Sequence, residues 1–309
     1  MKIVGHQKQW QFLKKSVELK KLSHAYLFSG EEKLGKKTVA LEFIKLICGK
    51  EDVFEREHPD LFLISPEIGT SIQINQIREL NWKLSLKPSL APFKVALLDK
   101  AHLMNEEAQN CLLKTLEEPR GNAILILISE QPERLFPTIL SRCQIIKFFP
   151  VKRIEIEEYL KAQGFAEKIA KEITELSLGR PGQAMDLAAR PQKIEEQKQS
   201  ISKLLNLARA PISLRFQLAK EVSQDYLNLR EVLEIWMSFL RKALISRLVD
   251  ELRSSPRIAT ARVKNEGEFR EFSISKLKAL LWQIQNLIFL ISTTNVNPRL
   301  ALEIFLLEI

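Results

Sequence analysis

Over the first half of the chain, short apolar runs rich in branched and aromatic residues alternate with longer segments whose apolar residues return every three or four positions. The short runs predict strands at Ala25–Ser29, Leu61–Ile64, Lys94–Asp99, Ala123–Ile128 and Gln144–Phe148. The longer periodicity predicts helices at Gln73–Leu86 and Glu106–Glu117, and another running from Gly35 through Ile47. Strands alternating with crossover helices make a parallel sheet covered on both faces, an α/β domain of the nucleotide-binding type. After Phe149-Pro150-Val151 the strand signal stops. Amphipathic segments at Ile154–Gln163, Ala166–Ser177 and Gly182–Ala189 follow, separated by glycine or proline. From about Ile194 the helices lengthen, notably Leu227–Leu252 and Ile274–Ile291, with a polar interruption at Ser254–Glu268. Three domains are expected: an α/β domain over residues 1–150, a small helical domain over 151–193 and an all-helical domain over 194–309.

Composition narrows the function classes. A chain of 309 residues with 45% hydrophobic and 28% charged residues has ample core-forming material, which excludes wholesale disorder. The N-terminus MKIVGHQKQW lacks an apolar leader, and no apolar run approaches the ~20 residues that span a bilayer. Export and membrane insertion are disfavoured, and a cytoplasmic protein is expected. Cys48, Cys111 and Cys143 lie far apart without a CxxC pair, so neither disulfides nor zinc are predicted. The net charge of +9 divides into +4 over residues 1–150 and +5 over the remainder. No clustered basic face or recognition helix stands out, which disfavours a sequence-specific DNA-binding protein. A diffuse basic balance still suits work near DNA.

The chemistry begins after the first strand. Gly30-Glu31-Glu32-Lys33-Leu34-Gly35-Lys36-Lys37-Thr38 is close to GxxxxGK[ST], in the strand–loop–helix context that a phosphate loop requires. Such a loop wraps phosphates in backbone N–H groups, while its lysine reaches the outer phosphates and its hydroxyl binds magnesium. Gly30, Gly35 and Lys36 fit. Lys37 stands where the hydroxyl belongs, so an ammonium group takes the place of a divalent cation. Sliding the register by one gives Lys37 and Thr38 the active roles but removes both glycines from theirs. Glu31 and Glu32 add negative charge beside any phosphate. No nucleotide cofactor is predicted at this degenerate loop.

A second departure lies at the end of the strand Val95-Ala96-Leu97-Leu98. Nucleotide hydrolases place Asp-Glu there; this chain has Asp99-Lys100. A lysine protonated near pH 7 cannot orient and deprotonate attacking water as a carboxylate does. Farther on, Ser141-Arg142-Cys143 follows a turn at Phe136–Leu140 and precedes the last strand, where an arginine could reach out of the domain. A planar, permanently charged guanidinium suits stabilisation of a transferring phosphoryl group better than an ammonium does.

Leu112-Leu113-Lys114-Thr115-Leu116-Glu117-Glu118-Pro119, followed by Thr138-Ile139-Leu140-Ser141-Arg142-Cys143, resembles the clamp-loader branch of the AAA+ ATPases. Ser23-His24-Ala25-Tyr26-Leu27-Phe28, His58-Pro59-Asp60 and Asn295-Val296-Asn297-Pro298-Arg299-Leu300-Ala301-Leu302-Glu303 are similar to the delta-prime type of subunit in bacterial DNA polymerase III. The resemblance implies an AAA+ module with a helical lid followed by a helical collar. It further implies a stator without ATPase activity in a five-subunit ring with delta and the gamma or tau ATPases. Such a ring loads the sliding clamp onto primed DNA, with ATP held by the neighbouring subunits. By position the resemblance makes Arg142 a finger aimed at a neighbour's ATP, with Ser141 and Cys143 structural, and it places Arg180 where active relatives carry another phosphate sensor. Many relatives insert a cysteine-rich zinc module after the loop helix. Here Cys48 is followed by Gly49 through Glu57 without partner cysteines, so zinc is not expected. The alternative, an active ATPase of the gamma or tau kind, needs the loop hydroxyl and strand-end glutamate that are replaced.

Overall fold

The computed structural model describes residues 3–49, 58–66, 71–119, 121–207, 210–224, 226–254, 273–294 and 296–309. The chain forms two compact units, Met1–Ala189 and Arg190–Ile309.

The first unit holds five parallel strands, β1 (Ala25–Ser29), β2 (Leu61–Ile64), β3 (Lys94–Leu98), β4 (Ala123–Ser129) and β5 (Gln144–Lys147), in the spatial order β2-β3-β4-β1-β5. Helices α1 (Gln7–Glu18), α2 (Lys36–Cys48), α3 (Ile74–Ser85), α4 (Glu106–Glu117), α5 (Pro137–Leu140), α6 (Arg153–Ala162), α7 (Glu167–Ser177) and α8 (Pro181–Ala189) belong to the same unit. β1 and β3 are buried at every position, which is why Ala25–Phe28 and Val95–Leu98 read as unbroken apolar runs. Alternate residues feed two layers. Tyr26, Phe28, Val95, Leu97, Ile124 and Ile126 pack with Leu13 of α1 and with Val39, Phe43 and Ile44 of α2. Ala25, Leu27, Ala96, Leu98, Leu125 and Leu127 pack with Ile77 and Leu80 of α3 and Leu112 and Leu116 of α4. The α/β class with a parallel sheet, expected from the sequence, is the one observed.

Local chemistry sets the element ends. Asn105 caps α4 by accepting the Ala108 N–H at 2.9 Å, with Glu106 and Glu107 in the positively polarised first turn. Gln76 reaches back to the Gln73 N–H at 2.9 Å and starts α3 one residue later than expected. The segment read as a turn before Ser141 is the short helix α5, entered through Pro137 at its first position. Helix α1 precedes the first strand and was not expected.

The second unit is helical throughout its described residues: α9 (Gln192–Leu207), α10 (Ile212–Val222), α11 (Tyr226–Ser254), α12 (Ile274–Thr293) and α13 (Pro298–Leu307). The predicted boundary between residues 193 and 194 falls inside the first turn of α9. Leu229, Leu233, Trp236 and Leu240 of α11 meet Leu277, Leu280, Ile284 and Leu287 of α12 and Leu302 and Phe305 of α13. The Trp236 indole N–H donates to the Ser200 carbonyl at 3.0 Å, so the largest core side chain buries no orphaned donor. One expectation is corrected here: Ile274–Ile291 is long and apolar enough, by length and composition, to cross a membrane. Leu277, Leu280, Ile284 and Leu287 are buried within the helical unit, whereas Trp282 and Phe289 of the same helix are exposed. Of the sequence features, Lys50–Glu57, Asn295 and the polar stretch beyond Ser254 lie outside the described residues.

Candidate nucleotide site and outer arginine

The loop joining β1 to α2 is built around Gly30, whose φ is 150°. A Cβ there would lie 2.5 Å from the Phe148 carbonyl oxygen, so the close approach of loop and β5 end admits only glycine. Gly35 turns the chain into α2. Lys36, the first residue of α2, is 5% exposed, and its ammonium group donates to the carbonyls of Gly30 at 2.7 Å and Glu31 at 2.5 Å. Burial lowers its pKa from the ordinary lysine value, opposed by the charges of Glu130, Glu32, Asp99 and Glu31. Of the two registers legible in the sequence, the fold adopts the one that puts Lys36 inside the loop.

Lys37 points the other way. Its Nζ lies 2.9 Å from Oδ2 of Asp99, the residue after β3, with side-chain exposures of 58% and 20%. Thr38 follows, half-buried, in the first turn of α2. Lys100 adopts a left-handed backbone with φ 53° and opens the 3₁₀ turn Ala101–Leu103. Magnesium-ATP is what the AAA+ class implies here, and the donor set suits it poorly. The carboxylate that would serve the ion faces an ammonium group, and Lys100 replaces the carboxylate that would serve the water.

A third lysine was missed in the sequence. Lys33, at φ 62°, donates to Oε1 of Gln183 at 2.9 Å and pairs with Asp186 at 3.0 Å, both on α8. Its carbonyl accepts the Gly182 N–H at 2.8 Å, and a Cβ on Gly182 would lie 2.8 Å from that oxygen. His6 Nε2 lies 2.8 Å from the Leu34 carbonyl, with its ring edge-on to Phe148; burial lowers its pKa, opposed by that carbonyl. The loop is thus held to the start of α8 and to the N-terminal segment by the protein's own groups. Arg180, just before α8, has a buried Nε without a hydrogen-bond partner among the described residues. Nothing local announces these contacts: Lys33 and Gln183 stand 150 residues apart.

Arg142 lies between α5 and the edge strand β5. Its guanidinium donates to the Thr138 carbonyl at 3.0 Å and pairs with Glu117, the last residue of α4, at 3.0 Å. Both partners are partly exposed, at 35% and 49%, so water screens the pair. Ser141 Oγ donates to the same Thr138 carbonyl at 3.1 Å. Burial pushes the Cys143 thiol up to about 12, which makes it unreactive. β1 and β5 run parallel, with Tyr26 beside Gln144 and Ser29 beside Lys147. The loop follows the end of β1, whereas Arg142 precedes the start of β5. The four residues of β5, ~13 Å of strand, therefore separate Arg142 from the chain's own loop.

Residues 5–152 match the family described as DNA polymerase III, delta subunit. The match covers just under half of the chain. The chain is 37% identical over 174 residues to the DNA polymerase III subunit delta' of Bacillus subtilis, covering 52% of this chain and 53% of that protein. It is 33% identical over 158 residues to DNA polymerase III subunit tau of the same organism, covering 47% of this chain and 28% of that protein. The chain thus spans about half the length of the delta' relative. Among solved structures it is similar to a gamma-subunit-related protein of DNA polymerase III from Thermotoga maritima, at TM-score 0.47 and 22% identity over 97% of both chains. The loop, the end of β3 and Arg142 all lie inside the matched segment, whereas α8, which seats the loop, lies beyond it.

Proposed function

We propose that this chain is a non-catalytic, cytoplasmic stator subunit of a DNA polymerase III clamp loader that completes a neighbouring subunit's ATP site with Arg142. In this reading it joins delta and the gamma or tau ATPases in a five-subunit ring that loads the sliding clamp onto primed DNA. The observation that carries the proposal is the pair Lys37–Asp99, 2.9 Å apart where a magnesium ion and its carboxylate would stand in an active relative. Lys36 and Lys33 reinforce it, since each is already bonded to oxygen atoms of the protein. The placement of Arg142 supports action in trans, because the chain's own loop lies at the other end of the sheet.

The mechanism follows from the arginine's surroundings. Charge develops on the oxygens of a γ-phosphoryl group as it transfers, and a guanidinium presented at that point stabilises it. Leaving Glu117 for a phosphate exchanges one exposed charge-assisted contact for a stronger one in a drier site. The Thr138 carbonyl and α5 fix the base of the side chain. The test is ATP turnover by a reconstituted loader carrying wild-type or Arg142→Ala chain, beside the chain alone. An inert chain and a fall of ~10³-fold in the complex are expected. Unaltered turnover of the mutant complex refutes the arginine's role. Hydrolysis by the isolated chain would instead make it an active ATPase of the gamma or tau kind.

A further inference from the structure

Helix α1 has a distribution of charge unlike the other helices. Between Gln7 and Lys21 the chain carries Lys8, Lys14, Lys15, Lys20 and Lys21 against Glu18 alone, a net +4 of the chain's +9. All five lysines are exposed, and none makes an ion pair. Several basic residues on other helices sit beside a carboxylate one turn away: Lys83 with Glu79, Lys161 with Glu157, Lys171 with Glu167, Arg230 with Glu234 and Arg299 with Glu303. In α1 Glu18 stands four residues after Lys14, yet Lys14 lies over the Trp10 ring at 5.4 Å from its centroid.

Nor does helix stability account for the pattern. Lys8 occupies the first turn, where the macrodipole disfavours a cation, and no acidic residue offsets it there. Lys15 and Lys20-Lys21 suit a helix C-terminus; Lys8 and Lys14 do not. Lys8 and Lys15 are seven positions apart and share a face, ~10 Å along the axis. Lys14 is beside Lys15 on that outer face, while Leu13 and Ser16 turn into the core. The result is a rigid row of uncompensated cations.

We infer that the outer face of α1 and the adjoining Lys20-Lys21 form a binding surface for the phosphate backbone of nucleic acid, read without regard to sequence. A repeating phosphate chain answers a row of long, flexible ammonium side chains that offers no planar fork and no base-reading amide. Each lysine engaged releases counterions and contributes about 0.9 to the slope of log Kobs against log salt on duplex DNA. The inference is independent of the role assigned to Arg142.

The test is fluorescence anisotropy of the full chain on a labelled duplex oligonucleotide across a salt series. Lys8→Ala/Lys14→Ala/Lys15→Ala is expected to weaken binding by about tenfold or more and to flatten the slope by about 2.7. Lys20→Ala/Lys21→Ala, beyond the helix, is expected to flatten it by about 1.8 and keeps the test decisive should the triple variant melt early. Exposed lysines elsewhere, Lys87→Ala/Lys168→Ala, serve as the control and leave both quantities unchanged. An unchanged slope in both α1 variants overturns the inference. Polyglutamate bound as tightly as DNA, with the same dependence on these lysines, also overturns it and assigns the surface to an acidic protein.

Discussion

Two lysine–aspartate pairs stand at opposite ends of β3, and they do different work. At its start Lys94 meets Asp60 at 3.1 Å, with side-chain exposures of 5% and 0%. Just past its end Asp99 meets Lys37 at 2.9 Å, with exposures of 20% and 58%. Burial forces the first pair to be completed: Asp60 also accepts the N–H groups of Ser89, Leu90 and Ala91, pinning the loop before β3 to the start of β2. The second pair has water around it and little desolvation to offset. Equal distance is thus no guide to equal energy. The buried pair belongs to the scaffold, whereas the exposed one can be exchanged without loss of the fold.

That contrast can be broken at several points. Asp60→Asn leaves Lys94 buried without its counter-charge and should cost ~3–5 kcal/mol of unfolding free energy, measured by denaturant melts. The same group gives a pH dependence. Burial pushes Asp60 up, but the three N–H donors and Lys94 overcome it and hold the carboxyl well below the ordinary carboxylate range. A depressed folded pKa means stability that is fully present above the unfolded value of ~3.9 and lost as pH falls through the folded one. Acid melts of the Asp60→Asn variant should therefore lack part of the parent's decline below about pH 4.

Lys36→Met comes next. It leaves two loop carbonyls without their buried donor, for ~1–3 kcal/mol. Lys37→Thr supplies the missing hydroxyl and frees Asp99. If the ammonium is what excludes magnesium, this variant alone should gain ~1 kcal/mol from magnesium-ATP in a thermal-shift assay, and the parent none. Lys37→Ala should be the mildest, within ~1 kcal/mol of wild type. A loss as large as that of Asp60→Asn would erase the distinction between the two ends of β3.

Much of this was legible in the sequence wherever the signal is local. β1 and β2 match their apolar runs in full, and the other strands differ by one residue; in the central strands β1 and β4 near-complete burial keeps the run almost free of polar residues. Gly30, Gly35 and Lys36 follow from spacing within one loop. The helix that escaped notice has a mixed surface: α1 sets Trp10, Leu13 and Val17 among lysines and glutamines. Charge totals over half-chains hid the lysines of α1, since the balance of a long segment says nothing about where a helix collects it. Contacts between distant residues carry no local trace. Lys37 and Asp99 are 62 positions apart, and Arg142 meets Glu117 only because α4 ends beside the turn into β5.

The seat between the loop and α8 relocates the tightest steric demand. In a loop that works by holding a metal, the residue least free to vary is the hydroxyl that binds it. Here the bond is between two backbone groups, the Gly182 N–H and the Lys33 carbonyl, and any side chain at position 182 would press on that oxygen at 2.8 Å. A substitution of Gly182 is then expected to unseat the loop, whichever residue stands at position 37.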